Sequence, residues 1–544
     1  MMRAALLTCL TAVLLAGCVR TSVTSSGTAR HSWTVPHVLR IANIADPDAL
    51  NPVVGNQQIE VDLSLFWAGY LFNWDDHNQF VPELAADVPT LANGGISRDG
   101  KTIVYHLRKG VHWQDGAPFG ADDVIFTYRA IMNPNNNVSS RTGYELITHI
   151  DKRDDATIAV HLKRPWAPFV ASFLTFSGTP YPVLPAHLLA KYPDINHVPY
   201  NQHPIGTGPF RVVEWQHGTL VRMEANPTYW RGPPRLRQVV YHIITDSNTI
   251  LTQLRTHEID LDFQAARSQI RQMREIDGDR VDLVPFNAFY QLAFNVTTPI
   301  LADVRVRQAL ALATDRKVLI DNVTHGVQTF GEGDQPPGLG WSNDALHAWP
   351  YDPERAKRML DAAGWHAGAG GIRARAGRRL SIGVAITAAL AEDVATVVQL
   401  QRQWRQIGVD VIVKPYVTSL YFEPYAAGGI LQTGKYDAAL YTWFSGIDPD
   451  DSTLFMCDQF PPAGQNTYHF CNPSLDAAER RALGSYDPVV RERAYDDIQS
   501  MLVDKLPFLN MWFVRRVNVY NVDLQNFKPA HAGVEIWNPW EIDI

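Results

Sequence analysis

Apolar and polar residues alternate along "VLRIAN" (38–43), and the run breaks at Pro52 in the following "IADPDALNP", which predicts a strand feeding a loop. The same alternation in "KTIVYHLRKGVHW" (101–113) and "ATIAVHLKRP" (156–165), flanked by Gly- and Asp-rich turns, predicts antiparallel sheet between about residues 80 and 200. Between them "ADDVIFTYRAIM" sets Val124, Ile125, Tyr128, Ile131 and Met132 at helical spacing behind Asp122 and Asp123, a helix expected to cover that sheet. The stretch 237–263, "RQVVYHIITDSNTILTQLRTHEIDLDF", reads strand, helix, strand with Ile250, Leu251 and Leu254 on one face, the pattern of parallel sheet.

A second α/β region follows. In "DPERAKRMLDAAGW" (352–365) Asp352 is the expected N-cap, Pro353 opens the helix, Glu354 stands against Arg358 at i,i+4, and Gly364 lies just past the end. "EDVATVVQLQRQWRQIGVDVIVKPY" predicts a long amphipathic helix that stops at Gly408 and turns into a strand. The Gly/Ala/Arg-rich "AGAGGIRARAGRR" reads as an exposed hairpin or loop. With 544 residues, 46% hydrophobic and 19% charged, the chain is globular and too long for one core. A net charge of −8 without a long basic run speaks against nucleic acid as a partner.

The first twenty residues, "MMRAALLTCLTAVLLAGCVR", place Arg3 before an apolar stretch from Ala4 to Ala16, too short to span a bilayer, and predict an export signal over 1–18. The end Leu15-Ala16-Gly17-Cys18 is similar to a bacterial lipobox, in which Cys18 carries the lipid anchor, and the Ser/Thr-rich segment that follows predicts a flexible tether over 19–36. The body is then expected outside the cytoplasmic membrane, periplasmic or at the cell surface, touching the membrane only through its anchor. Of four cysteines this leaves Cys457 and Cys471, for which a disulfide is the economical reading. Zinc is the alternative, since His469 stands two residues before Cys471, but a fourth ligand is not evident.

Motifs of known chemistry are mostly absent. "GGILQTGKY" matches a phosphate loop in spacing until Tyr436 replaces the Ser or Thr that would hold Mg²⁺, so a turn before the strand "YDAALYTW" is expected. The stretch "LYTWFSGIDPDDSTLF" (440–455) gathers Trp443 with Asp448, Asp450 and Asp451. These acids could serve as general acid and base of an exported hydrolase or hold Ca²⁺, though Asp448-Pro449 predicts turn and cap roles. Tyr441, Trp443 and Phe444 belong either to a core or to a pocket.

Six segments, in order, carry a family resemblance: "SRDGKTIVYHLRKGVHWQDGAPFGADDVIFTYRAI", "PIGTGPFRVVEW" with "ANPTYWRGPP", "VRVRQALALATDR", "YDPERAKRMLDAAGW", "CNPSLDAAERRAL" and "LPFLNMW". The chain resembles the family 5 extracytoplasmic solute-binding proteins, the oligopeptide and dipeptide receptors of ABC importers. The resemblance implies a bilobal α/β fold of the periplasmic-binding-protein type (type II, three domains, mixed sheets). The first domain would comprise 37–78, 201–287 and 513–544, the inserted second domain 79–200, and the third domain 288–512. It implies a monomeric binding protein, not an enzyme, without cofactor or resident metal. Its lobes would close on a short peptide or other small polar solute and present it to an importer's permease subunits. Oligosaccharides and metal complexes are ligands of other family members.

By the same resemblance Trp443, Phe444, Ser445 and Gly446 border the ligand groove, where backbone groups hold the ligand like an added strand. Tyr144, Asn56 and Tyr290 are carried over as further groove residues. The chain departs from the family's peptide receptors at one place. The aspartate that meets a ligand's α-amino group three residues after the Trp is Gly446 here, and an Arg three residues before it is Leu440. Either Asp448 takes over that role or the ligand has no free amine there.

Overall fold

The computed structural model describes residues 30–55, 57–177, 179–531 and 535–544. Strand β1 (Val38–Asn43) opens the first lobe, β2 (Phe72–Trp74) and β3 (Phe80–Pro82) form a hairpin, and β4 (Thr102–His106), β5 (Ile147–Asp154) and β6 (Thr157–Leu162) form a separate antiparallel sheet in the order β4-β6-β5. The chain adds β7 (Phe210–Gln216), β8 (Leu220–Ala225), β9 (Gln238–Ile243) and β10 (Leu261–Asp262), then leaves the first lobe on β11 (Asp279–Phe294). A small meander of β12 (His366–Ala367), β13 (Arg373–Arg375) and β14 (Arg378–Arg379) precedes β15 (Ser381–Thr387), β16 (Asp410–Tyr416) and β17 (Ala438–Phe444), and β18 (Phe508–Asn521) returns to the first lobe.

Ten strands form one mixed sheet, β16-β15-β17-β11-β18-β10-β1-β9-β8-β7. The predicted strand-helix-strand unit is β9, the helix Ser247–Arg255 and β10, and both strands pair with β1 in parallel. Its helix buries Ile250, Leu251 and Leu254, and Asp246 caps it by accepting from the Thr249 N–H. Asp352 likewise caps Pro353–Ala362. Glu354, however, pairs with Lys357 at 2.7 Å rather than with Arg358, since the i+3 cation lies on the same helix flank as the i+4 one. The Gly/Ala/Arg-rich patch forms the β13–β14 hairpin.

The antiparallel pair β11 and β18, 16 and 14 residues long, belongs to both lobes. The boundaries expected at 287/288 and 512/513 fall inside these strands, and the β11 register breaks between Pro285 and Phe289. Beyond the break, side chains alternate between two cores. Leu292, Phe294 and Leu440 pack with Leu310, Leu360 and Trp404 on one face, while Phe289, Ala293 and Tyr441 pack with Leu475, Ile498 and Phe508 on the other. The inserted 79–200 segment shares one continuous core with the first lobe, from Leu39 through Ile103 and Val160 to Ile544.

The leader, Cys18 and residues 19–29 of the expected tether lie outside the described residues, as does Asn56. The end of that tether is docked rather than free: the His31 N–H and the Thr34 hydroxyl donate to Asp523 at 2.7 and 2.6 Å, and Trp33 stacks between His31 and His257. Cys457 and Cys471 are joined in a disulfide, with His469 not involved. Among the described residues, no helix is long and apolar enough to cross a membrane.

Candidate functional site

The end of β17 and the turn after it stand in a cleft between the lobes. One edge of β17 pairs with β11 as far as Phe444 opposite Ala288, but pairing of the other edge with β15 is confined to Ala438 and Ala439. From Tyr441 to Phe444 that second edge borders a cavity of about 480 Å³. Its walls are largely apolar: Leu390 from the loop after β15, Phe422 at the end of the short helix Thr418–Phe422 after β16, Leu431, Trp443 and Phe444. Phe444 is 65% exposed and Leu390 50%, and both turn apolar surface toward this cavity.

Trp443 also belongs to a second cavity of about 540 Å³, lined from the 79–200 segment by Ser139, Ser140, Thr142, Ser177 and Thr179 and from the facing lobe by Gly446, Asp448 and Asp450. A third cavity carries Phe444 and Ser445 against Gln57, Tyr181 and Phe286. The three meet at the Trp443–Ser445 turn. That turn is held from behind, where the Ser445 N–H donates to the Asn287 carbonyl at 2.9 Å and the Asn287 side-chain amide donates to the Gly446 carbonyl. The lobes touch at the rims of the cleft. Tyr486 donates to the Trp166 carbonyl at 3.0 Å, the Ala167 N–H donates to the Leu483 carbonyl at 2.8 Å, and Arg267 pairs with Glu392.

The acids of the turn divide into three environments. Asp448 is held by both terminal guanidinium nitrogens of Arg491 at 2.8 and 2.6 Å, so its charge is already compensated within the protein. Asp450 accepts from the Ser452 hydroxyl and N–H, and burial raises its pKa. Asp451 points away from the cleft toward Asp334 and Glu479, and burial raises the pKa of all three carboxyls above the ordinary range, that of Glu479 up to about 8. Asp450 and Asp451 therefore do not face one substrate position as an acid–base pair requires.

Tyr290 and Tyr144 are both buried, with hydroxyls engaged by the protein. Tyr290 stacks on Trp512 and donates to Asp393 at 2.6 Å, at the floor of the first cavity. Tyr144 is 4% exposed at the edge of the second, its hydroxyl accepting from the Leu174 N–H at 3.0 Å. Each supports a wall rather than offering a free polar atom. The cavity residues that sequence reasoning passed over are Leu390, Phe422 and Leu431, the Ser/Thr group of the 79–200 segment, and Glu392 with Asp393. The cluster of Leu420, Tyr421 and Phe422, which folds as the short helix Thr418–Phe422 after β16, is a local sign.

Comparison with known proteins agrees with this architecture. The sequence model of the bacterial extracellular solute-binding proteins, family 5 Middle, matches residues 79–463. Among relatives, Protein XP55 of Streptomyces lividans is 30% identical over 461 residues, 84% of this chain and 80% of that protein. The oligopeptide-binding protein AppA of Bacillus subtilis (strain 168) is 25% identical over 539 residues, 97% of this chain and 95% of AppA. Among solved structures, NikZ from Campylobacter jejuni in complex with Ni(L-His) superposes with a TM-score of 0.77 at 26% identity, covering 94% of this chain and all of that one.

Proposed function

Because the chain belongs to the family 5 bacterial extracellular solute-binding proteins, we propose that it captures a short peptide bearing an apolar side chain and delivers it to an ABC importer. The carrying observation is the free backbone edge of Tyr441–Phe444, which borders a cavity that an extended ligand could enter as an added strand. Main-chain hydrogen bonds from such an edge are indifferent to side-chain identity, while the Leu390, Phe422 and Phe444 walls favour an aliphatic or aromatic residue. Asp448 is matched by Arg491, which supports a ligand whose amine is met elsewhere or is absent at this point. Anchoring through Cys18 and handover to permease subunits complete this reading.

The test is thermal shift with di- to pentapeptides differing in one side chain. Saturating ligand at one hundred times Kd stabilises the native state by about 2.7 kcal/mol. We expect peptides with Leu or Phe to raise Tm more than Gly or Asp counterparts, and Trp443→Ala to weaken the best ligand at least ~10-fold. Equal shifts for all side chains would remove the apolar-pocket specificity, and no shift with any peptide would remove the peptide reading. A second reading, a chelated metal complex, is favoured by the similarity to NikZ, solved with Ni(L-His). It predicts a shift with nickel and histidine together and none with peptides.

A further inference from the structure

Away from the cleft, three side chains on the β4-β6-β5 sheet converge on one point. His149 on β5 stands directly opposite His161 on β6, and Asp151, two residues along β5, lies on the same face. The two imidazoles stack at 4.1 Å, and the Asp151 carboxylate is 3.0 Å from His161 Nε2 and 3.9 Å from His149 Nε2. All three candidate ligand atoms lie within 4.8 Å of one another. A register break between Ile147 and His149, with Thr148 as the extra residue, brings about this facing pair; bulges commonly re-aim a side chain in this way.

Both histidines have their other ring nitrogen on a threonine. Thr148 Oγ1 is 3.0 Å from His149 Nδ1, and Thr102 Oγ1, the residue opposite His161 on β4, is 3.2 Å from His161 Nδ1. The Thr148 hydroxyl gives its one hydrogen to the His161 carbonyl at 3.0 Å, so toward His149 it can only accept. His149 Nδ1 therefore carries the proton of the neutral ring, and Nε2 presents its lone pair toward Asp151. Fixing the tautomer by a hydrogen bond to the distal nitrogen is how ligating histidines are oriented.

We propose that His149, Asp151 and His161 form a surface site for a divalent transition-metal cation of the Zn²⁺, Ni²⁺ or Cu²⁺ class, with Thr102 and Thr148 orienting the rings. Two imidazoles and one carboxylate suit these borderline ions and leave room for water, whereas Mg²⁺ and Ca²⁺ favour all-oxygen sets. None of the three residues lines the inter-lobe cavities, so the site is independent of the transported ligand.

The experiment is calorimetric titration of ZnCl₂ into the metal-free, untagged protein, with MgCl₂ as control. One saturable Zn²⁺ site is expected, lost in the His149→Ala/His161→Ala double variant and weakened about 10-fold or more in Thr148→Val. Thr148 and His149 are exposed and His161 is half-buried on the sheet surface, so these variants should keep the unmodified protein's melting temperature in the presence of chelator. Absence of saturable binding would overturn the assignment. So would Zn²⁺ binding that survives in the double variant, for instance at the Asp75, Asp76 and His77 turn.

Discussion

Glu479 has no solvent exposure, and neither of its carboxyl oxygens meets a donor from another kind of group; its neighbours are Asp451 and Asp334, themselves buried. Burying three acids together away from water disfavours the charged form of each. Burial pushes Glu479 up to about 8 from the ordinary 4.5, opposed by its hydrogen bond with Asp451 and aided by the nearby charges of Asp450, Asp334 and Asp476. Between those values the native state holds a proton that the unfolded chain has released. The stability this contributes is complete below about pH 4.5 and is lost as pH rises toward 8, at up to about 1.4 kcal/mol per pH unit for one proton. Glu479→Gln imitates the protonated form. We expect its melting temperature to fall less steeply than the unmodified protein's between pH 5 and pH 8, and to be the higher of the two at pH 8. Parallel curves would show that this carboxyl titrates in the native state as it does in the unfolded one.

At the scale of elements, the loop closed by Cys457 and Cys471 forms part of the cleft wall through Gln459, Ala463, Gln465 and Thr467. The cysteines are 14 positions apart, and cross-linking a loop of that size removes unfolded-state entropy worth about 3 kcal/mol. Denaturant melts of the Cys457→Ser/Cys471→Ser variant should show a loss of that order, together with weaker ligand binding because the wall is no longer tied. A loss below about 0.5 kcal/mol would mean that packing around Tyr468 and Phe455 holds the loop alone.

Elements of this kind were legible because their causes are local. Asp352-Pro353 caps and starts a helix whatever surrounds it, and the alternation of "KTIVYH" puts Ile103 and Tyr105 on one face before any partner strand is known. Family resemblance pointed to Trp443–Gly446, Asp448, Tyr144 and Tyr290, all of which lie along the cavities. Leu390 and Phe422 follow different strands and meet only when the sheet forms, and nothing near Asp451 announces Glu479 or Asp334. The docking of His31 and Trp33 against Asp523 and His257 was hidden for the same reason: a polar composition predicts a free segment until distant partners are in place.

At the scale of the whole molecule, on the binding-protein reading proposed above, the two strands crossing between lobes would serve as a hinge and the rim contacts would bias the closed form. The Tyr486 hydroxyl donates to the Trp166 carbonyl from the opposite lobe, and also approaches the Gly100 carbonyl at 3.3 Å. A neutral hydrogen bond of this kind contributes about 1 kcal/mol, close to a 5-fold change in an equilibrium constant. Tyr486→Phe removes the bond and keeps the ring, so the closed population should fall and apparent ligand affinity weaken by up to ~5-fold. Gly100 presses the same point harder. Its φ of +67° disfavours any side chain, and a Cβ there would stand 2.9 Å from both the Tyr486 ring and Pro165. Gly100→Ala should therefore wedge the rim apart, raising the radius of gyration of the ligand-free protein in solution scattering and weakening binding more than Tyr486→Phe. Unchanged scattering and affinity in both variants would mean that the Arg267–Glu392 pair on the other side of the cleft suffices to keep the lobes together.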